Sequence, residues 1–584
     1  MKKLKMIILA NIVIPFYAFG AYLENVPITI TQPNGTQIEC LATGDEYYNW
    51  LHDEAGYTIV QDKTTGYYCY AILVGDSLVA SQYVVGTVSP NSVNLQPYIN
   101  ISEEEIWKKR EEIIQAMSQN HVFQNPRVQS NSPVSIGTIN NLVVYIRFAD
   151  QTEFEENQIT YTSRFNNISS NTANSMRNYF RKASYNQLDI ISHFFPTNDG
   201  TTILSYQDSH NRGYYLPYSV TNPLGHDGNR ERLARRDTLL YNAVNYIKNQ
   251  VPTSLNIDQN NDGFVDNISF IVRGSAEALS LWPHAAKLSS VSNLPIQING
   301  KTANFCFLVL EEHSENSTLC HEMGHIFRMN DLSYGFNPAG SWDLMSWPTN
   351  PPQHFTAYMK HKYGGWIPSI PVITTSGTYT LQPLTSVTNN CYQIPIKGSE
   401  QYLVVEYRKH TDIFESSLPD SGLIIYRINE DWNGNYYFVN NIEQYGVLVF
   451  RPGGGPGITG YPEKAAFSTA SGRTEFSNWT DPYGYTAPNG DFANIYIKNI
   501  RENADGTMSF DIRFCDGEDV IHSNTNNLPA VTNASNSIQT SGTVVVKSTD
   551  NVSFEAGNKI ILKPGFKVES GGTFRINMNA CGEK

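Results

Sequence analysis

Apolar residues in the first hundred positions come in short alternating bursts, at Ile28-Thr29-Ile30, Tyr67-Tyr68-Cys69-Tyr70-Ala71 and Tyr83-Val84-Val85. Alternation at period two puts one set of side chains on one face of a strand, so short half-buried strands are predicted there. Glu103 to Ser118 changes to the spacing of a charged amphipathic helix. Ser118 to Ser132 is predominantly polar and reads as exposed and cleavable. Ile268 to Val272 reads as a strand, and Leu319, Met323 and Ile326 share one face of a helix. Beyond Trp366 the strand signals become dense: Tyr402–Tyr407, Leu423–Tyr426, Val447–Phe450 and Ile495–Ile497, separated by Gly, Pro and Asn turns. A β-sandwich accessory domain over 371–515 is the simplest reading. Residues 516–536 are rich in Asn, Ser and Thr and read as a linker. In the remainder, 537–584, Val552-x-Phe554-x-x-Gly557-x-x-Ile560 recurs fourteen residues later as Phe566-x-Val568-x-x-Gly571-x-x-Phe574, which suggests stacked hairpins or solenoid rungs. This small β-repeat module resembles short C-terminal modules of exported bacterial proteins, which implies a role in cell-surface attachment or sorting; a stabilising cap is the alternative.

The chain opens with Lys2, Lys3 and Lys5, followed by the apolar run Met6 to Phe19 and small residues at Ala18 and Gly20. This is the layout of a secretory signal peptide over 1–20, cleaved near Gly20-Ala21. The run falls short of the roughly 20 apolar residues that a membrane span needs, and no later segment qualifies, so a secreted or cell-surface protein without a transmembrane span is expected. Export permits disulfides, and Cys40 with Cys69 and Cys515 with Cys581 are the local pairings that seven cysteines suggest. At 584 residues and 40% hydrophobic content, the chain can bury several cores and should divide into three or four domains. A net charge of −14 excludes the basic surface that nucleic acid demands.

Chemistry concentrates in His321-Glu322-Met323-Gly324-His325. Two imidazoles four residues apart stand one above the other on a helix, where both can reach one metal ion, and the carboxylate between them can face water at that metal. Asn316-Ser317-Thr318 offers N-caps for such a helix. Cys320 points about 100° away from His321 and reads as a core thiol. A catalytic zinc needs a third ligand and an open position. Asp331, ten residues after His321, stands where the HExxHxxGxxH pattern places its third ligand, with Asp343 as the substitute. The turn glycine of that pattern is replaced by Arg328, and Asn330 is the residue to which a left-handed turn would pass.

His321-Glu322-x-x-His325 with Asp331, the Trp342-Asp343-Leu344-Met345-Ser346 segment, which is similar to a Met-turn, and Lys360-His361-Lys362-Tyr363-Gly364-Gly365-Trp366 together resemble the immune inhibitor A family of secreted bacterial metallopeptidases. Val143 to Asp150, Trp282-Pro283-His284 and Leu418 to Tyr426 are similar to further landmarks of that family, and the resemblance covers roughly 135–515. It implies an α+β multidomain chain with a metzincin-like zinc protease catalytic domain over 133–370. It also implies a β-rich, propeptide-like domain over 21–132, hence a zymogen; a permanent accessory domain is the alternative. Glu322 would be the general base, His321, His325 and Asp331 the zinc ligands, and Met345 an apolar floor beneath the histidines. Tyr358 and Tyr363 are the oxyanion partners to weigh. Thiolate capture of zinc by Cys40 or Cys69 is conceivable.

A second cation reading comes from Asp258-Gln259-Asn260-Asn261-Asp262-Gly263-Phe264-Val265-Asp266. Oxygen-bearing side chains at Asp258, Asn260, Asp262 and Asp266, the Phe264 carbonyl and the turn at Gly263 match the front half of an EF-hand loop, but a strand follows instead of an exiting helix. A structural calcium clip is expected; an Asx-rich turn without metal is the alternative. The sequence therefore reads as a secreted zinc endopeptidase acting on proteins or peptides. The alternative is a non-catalytic surface-binding protein with a protease-like shell.

Overall fold

The computed structural model describes residues 22–578, apart from 121–134, 276–280, 289–295, 334–336, 433, 436–444, 488, 515–518, 535–536 and 558, and the side chains of 114–120. The signal peptide, most of the polar stretch before Ser132, and Cys515 and Cys581 lie outside the described residues. The described chain divides into two compact units. One holds the residues up to Asp331 with Asn350–Pro352, and the other Leu332–Thr349 with everything from Gln353 onward.

In the first unit an antiparallel meander of six strands comes first: β1 (Leu23–Thr31), β2 (Gln37–Gly44), β3 (Asn49–His52), β4 (Thr58–Gln61), β5 (Tyr68–Val74) and β6 (Ser77–Val84). Along β1 buried Val26, Ile28 and Ile30 alternate with exposed residues, as a sheet with one packed face requires. Helix α1 (Glu103–Asn120) follows, its first turn carrying three glutamates that suit the positive end of the helix dipole.

The second sheet contains β7 (Gly137–Arg147), then, after α2 (Gln158–Asn166) and α3 (Met176–Ala183), β8 (Leu188–Phe195) and the short β9 (Tyr206–Gln207). Helix α4 (Asn229–Ile247) leads to β10 (Ile268–Val272) and β11 (His284–Lys287). A small ribbon, β12 (Gln297–Ile298) and β13 (Lys301–Thr302), precedes β14 (Phe305–Leu310) and α5 (Asn316–Ile326). The order is β11-β14-β10-β7-β8, parallel throughout except for the edge strand β11. Every residue of β10 and β14 is buried, which explains why these strands read as largely apolar runs, broken in β10 only by Ser269, rather than as alternations.

The two sheets are not separately cored. Val26, Ile28, Ile30, Tyr57 and Ile59 belong to the same cluster of buried residues as Leu142, Val144, Leu239, Val244 and Phe270. The sequence-based boundary at 132 therefore marks a change of sheet and not an independent unit. Alternation tells which face of β1 is buried, but not against what. Cys40 and Cys69 are buried free thiols and form no disulfide, and burial pushes the Cys40 thiol up to about 12.

In the second unit two antiparallel sheets enclose one core. Gly377–Leu381, Ile495–Glu502 and Met508–Phe514 form one, and Cys391–Pro395, Tyr402–Arg408, Gly422–Ile428 and Val447–Val449 the other. The segment after Asp331 is built into this unit, which moves the expected boundary at 370 toward the N-terminus. Trp342 is fully buried and donates from Nε1 to the Pro462 carbonyl at 2.7 Å, while Arg408 and Arg451 donate to the carbonyls of Trp342 and Pro338.

Residues 519–578 form a parallel β-solenoid. Ser537 pairs with Lys559, Val544 with Phe566 and Asn551 with Thr573, a step of 22 residues, whereas Asp519 pairs with Ser537 at a step of 18. Two expectations are corrected here. Asp519–Thr525 and Val531–Ala534 are strands of the solenoid rather than linker, because their backbone groups pair with Ser537–Val546 and Asn551–Ala556. The fourteen-residue recurrence relates Asn551–Ala556 and Lys559–Ile561 to the next two strands of the coil, Phe566–Val568 and Thr573–Met578; the residue stacked on Val552 is Phe574, not Phe566.

Candidate metal centre

Helix α5 is buried along its whole length, Asn316 to Ile326, which fits a helix with apolar residues on more than one face. Its N-cap is Glu315 rather than one of the three residues that follow, and Thr318 Oγ1 donates to Glu315 Oε1 at 3.2 Å. Cys320 Sγ donates to Asn316 Oδ1 within the helix, in line with a core thiol.

The end of α5 positions Asp331, the expected third ligand. Arg328 itself adopts φ +65°, and Asn330 does not take the left-handed region. The expected handover of the turn to Asn330 is thus corrected: the pattern's glycine position keeps its conformation although its residue is arginine. The Phe327 and Met329 N–H groups both return to the Gly324 carbonyl, and the Arg328 N–H to that of His325. This closes the helix much as a Schellman motif does. The Met329 carbonyl then accepts from His325 Nδ1 at 2.7 Å, which fixes the imidazole's tautomer and leaves Nε2 for a metal.

Three atoms converge at the end of this turn. His321 Nε2 and His325 Nε2 lie 3.1 Å apart, and Asp331 Oδ1 lies 3.2 Å from the first and 3.4 Å from the second. All three residues are buried, and their ligand atoms lie within 4.8 Å of one another, the one such group of His, Cys, Asp or Glu among the described residues. Neither carboxylate oxygen of Asp331 accepts a hydrogen bond, a costly state for a buried acid unless a cation faces it. Burial works to raise the Asp331 pKa, but the two imidazoles prevail and hold it well below the usual carboxylate range. The donor set of two imidazoles and one carboxylate suits zinc. Glu322, between the histidines, is fully buried.

Asp343, the substitute ligand, has a different task. Its Oδ1 accepts the Met345 N–H at 2.8 Å and its Oδ2 the Thr356 N–H at 2.7 Å. Met345 is fully buried, and its carbonyl accepts the Leu332 N–H at 2.7 Å. Tyr358 is buried in helix α6 (Ala357–Lys362), while Tyr363 caps that helix. His284 accepts from Arg236 Nη1 at 2.9 Å and holds the Trp282 carbonyl through Nδ1; burial, reinforced by Arg236, lowers its pKa to about 3, so it stays neutral.

The loop Asp258–Asp266 is closed by its own backbone. Asp258 accepts from the Asp262 and Gly263 N–H groups, Asp262 from Phe264, and Asp266 from Gln259. Lys301 Nζ stands 2.6 Å from Asp258 Oδ2, a counter-charge that sequence reading did not foresee because β13 brings it from 43 positions away. Burial, with Asp258 and Asp262 nearby, raises the Asp266 pKa to about 7.

Sequence reading also passed over Glu46 and Tyr47, both buried at the tip of the β2–β3 hairpin. Their local sequence marks a turn but not where the turn docks. Among the described residues, no helix is long and apolar enough to cross a membrane. No family model matches the sequence, and no curated protein matches it either. The solved structures with a loose likeness include two of OgpA from Akkermansia muciniphila. The wild-type crystal structure is 12% identical, covers 48% of this chain and 74% of that one, and has a TM-score of 0.22. A catalytically inactive form, in complex with an O-glycopeptide (glycodrosocin) substrate, is 11% identical over 49% and 74%, with a TM-score of 0.21. Likenesses of this size do not place the chain in that protein's fold.

Proposed function

We propose that this chain is a secreted zinc-dependent endopeptidase of metzincin-like type that hydrolyses peptide bonds in proteins. The observation that carries the reading is the convergence of His321 Nε2, His325 Nε2 and Asp331 Oδ1 in a buried cluster whose carboxylate lacks hydrogen bonds. Zinc held there would polarise a scissile carbonyl and acidify water. Glu322, carried between the two histidines by α5, takes the proton of the attacking water and delivers it to the leaving amine nitrogen. Met329 orients His325 through its carbonyl, and the left-handed turn at Arg328 brings Asp331 back to the helix it has just left.

The test measures zinc content and casein cleavage for the full chain and for Glu322→Gln. The amide keeps the shape but cannot accept a proton, so zinc should stay stoichiometric while turnover falls by roughly 10²–10⁴-fold. Normal cleavage by Glu322→Gln overturns the mechanism, and absence of zinc from the wild type overturns the class. We further propose calcium as a structural ligand of Asp258, Asn260, Asp262, Asp266 and the Phe264 carbonyl, with Lys301 as the cation it displaces from Asp258.

A further inference from the structure

The second unit presents aromatic rings to solvent: Trp479 is 55% exposed, Tyr461 54% and Phe492 41%. The ring centroids of Trp479 and Phe492 lie 5.8 Å apart, and Phe492 meets Tyr483 edge to face at 5.8 Å. Tyr483 leads inward to Tyr485, 5.7 Å away, which belongs to the core of the two sheets and carries the Arg427 guanidinium over its ring at 5.1 Å. The exposed rings are thus the outer end of an aromatic tier rooted in the core.

The loops that hold these rings are fixed by hydrogen bonds. Thr480 Oγ1 accepts the Ser477 N–H at 2.8 Å and donates to the Pro482 carbonyl at 2.6 Å, which closes the turn that carries Trp479. Buried Asn478 donates to Asn494 Oδ1 at 2.7 Å and accepts the Asn494 N–H at 3.2 Å, tying that turn to the chain just past Phe492. Asp481 Oδ1 accepts the Gly453 N–H at 2.7 Å and so brings in the glycine-rich segment 453–460. That segment folds tightly on itself: Gly460 takes φ +65°, and a β-carbon there would stand 2.5 Å from the Gly454 nitrogen. It runs between two of the tyrosines. A β-carbon on Gly453 would lie 3.2 Å from the Tyr461 ring, and one on Gly455 would lie 3.5 Å from the Tyr483 hydroxyl.

A fixed strip of rings, flanked by the exposed carboxylates of Asp481 and Asp491, offers two kinds of contact side by side. Ring faces take apolar C–H groups, and carboxylates take hydroxyl donors. A pyranose ring carries both complements, an apolar C–H face and a rim of hydroxyls. Anionic ligands would meet the two carboxylates and a chain of net charge −14. Among the described residues of 450–495, three of the four large apolar side chains that are exposed are rings, with Ile458 the exception, so ring stacking dominates over the aliphatic contacts a protein partner would add. Holding the rings in place before the ligand arrives spares the cost of ordering them.

We propose that Tyr461, Tyr483, Phe492 and Trp479 form a carbohydrate-binding surface for a neutral oligosaccharide, with Asp481 and Asp491 accepting hydrogen bonds from its hydroxyls. The surface shares no residue with the His321, His325 and Asp331 cluster, so it stands independently of the metallopeptidase reading and gives the second unit a binding function of its own.

The test uses the full chain as wild type, Trp479→Ala, Tyr461→Ala and, as a control ring in the first unit, Tyr218→Ala, whose side chain is also exposed. Thermal melts should give one Tm for all four, since none of these side chains is buried. Calorimetry with cellohexaose, mannohexaose and N-acetylchitohexaose reads affinity, and sedimentation velocity reads the oligomeric state. At least one hexaose should bind the wild type and Tyr218→Ala equally, and should bind Trp479→Ala and Tyr461→Ala about tenfold more weakly. Absence of binding to the wild type by all three hexaoses overturns the proposal, and so does equal affinity across the four chains. A wild-type dimer that Trp479→Ala dissociates overturns it as well, and assigns the strip to a second copy of this chain.

Discussion

Arg328 holds a backbone conformation that costs a residue bearing a β-carbon about 1–2 kcal/mol. Arg328→Gly should therefore stabilise the chain by roughly 1 kcal/mol in denaturant melts and leave zinc content unchanged. A fall in stability would assign the arginine side chain a contact worth more than the strain. The convergence of His321 and His325 was legible because four-residue spacing on a helix is itself geometry. The turn was not, since the hydrogen bonds returning to Gly324 and His325 impose the left-handed conformation on whichever residue stands at 328. Asp331 and Asp343 offer a matched pair of tests. Asp331→Asn should lower zinc affinity sharply, because a neutral oxygen replaces an anionic ligand. Asp343→Asn should keep zinc yet cost about 1–3 kcal/mol, since the lost carboxylate holds two buried backbone N–H groups. Metal analysis and melting of the two variants separate these roles.

For elements, the loop that enters β10 couples stability to pH. Burial raises the Asp266 pKa to about 7, so the folded chain holds a proton there more tightly than the unfolded chain, whose carboxyl titrates near 4. The resulting stability is fully present below pH ~4 and is lost as pH rises through about 7. Asp266→Asn should flatten that decline, read as Tm against pH without calcium. Added calcium should raise Tm more at pH 8 than at pH 5, because the ion competes with the proton for Asp266. A Tm indifferent to calcium at both pH values would leave the Lys301 ion pair and the turn's own hydrogen bonds as the closure. Elements were legible where one face alternates, as in β1, or where a run is buried on both sides, as in β10. Asp519–Thr525 escaped because its polar alternation resembles an extended linker until the parallel partner at Ser537–Ser541 is supplied. Phe554→Ala should reduce amide-exchange protection across the paired strands. That ring is fully buried, packs 5.0 Å from Phe574, and its loss costs about 3–5 kcal/mol.

Across the molecule, the N-terminal meander and the parallel sheet share a single apolar cluster. A chain lacking residues 22–120 should melt at a lower temperature and aggregate, since Leu239, Val244 and their neighbours would lose that cover; light scattering and thermal melts check this. Unchanged melting would mean that the parallel sheet is complete without the meander. Sequence periodicity marked individual strands of both sheets, yet partnership between faces is a tertiary property that no local pattern carries. The solenoid has a further consequence for descent. From Val531 onward its strands repeat against one another at a step of 22 residues, so an in-frame genetic duplication of one such unit inserts a complete coil without disturbing the hydrogen-bond partners on either side. An insertion of any other length shifts inward-facing side chains relative to their neighbours. Length variation in this region among descendants of the gene is therefore expected to come in whole coils, with single-residue changes confined to the bends.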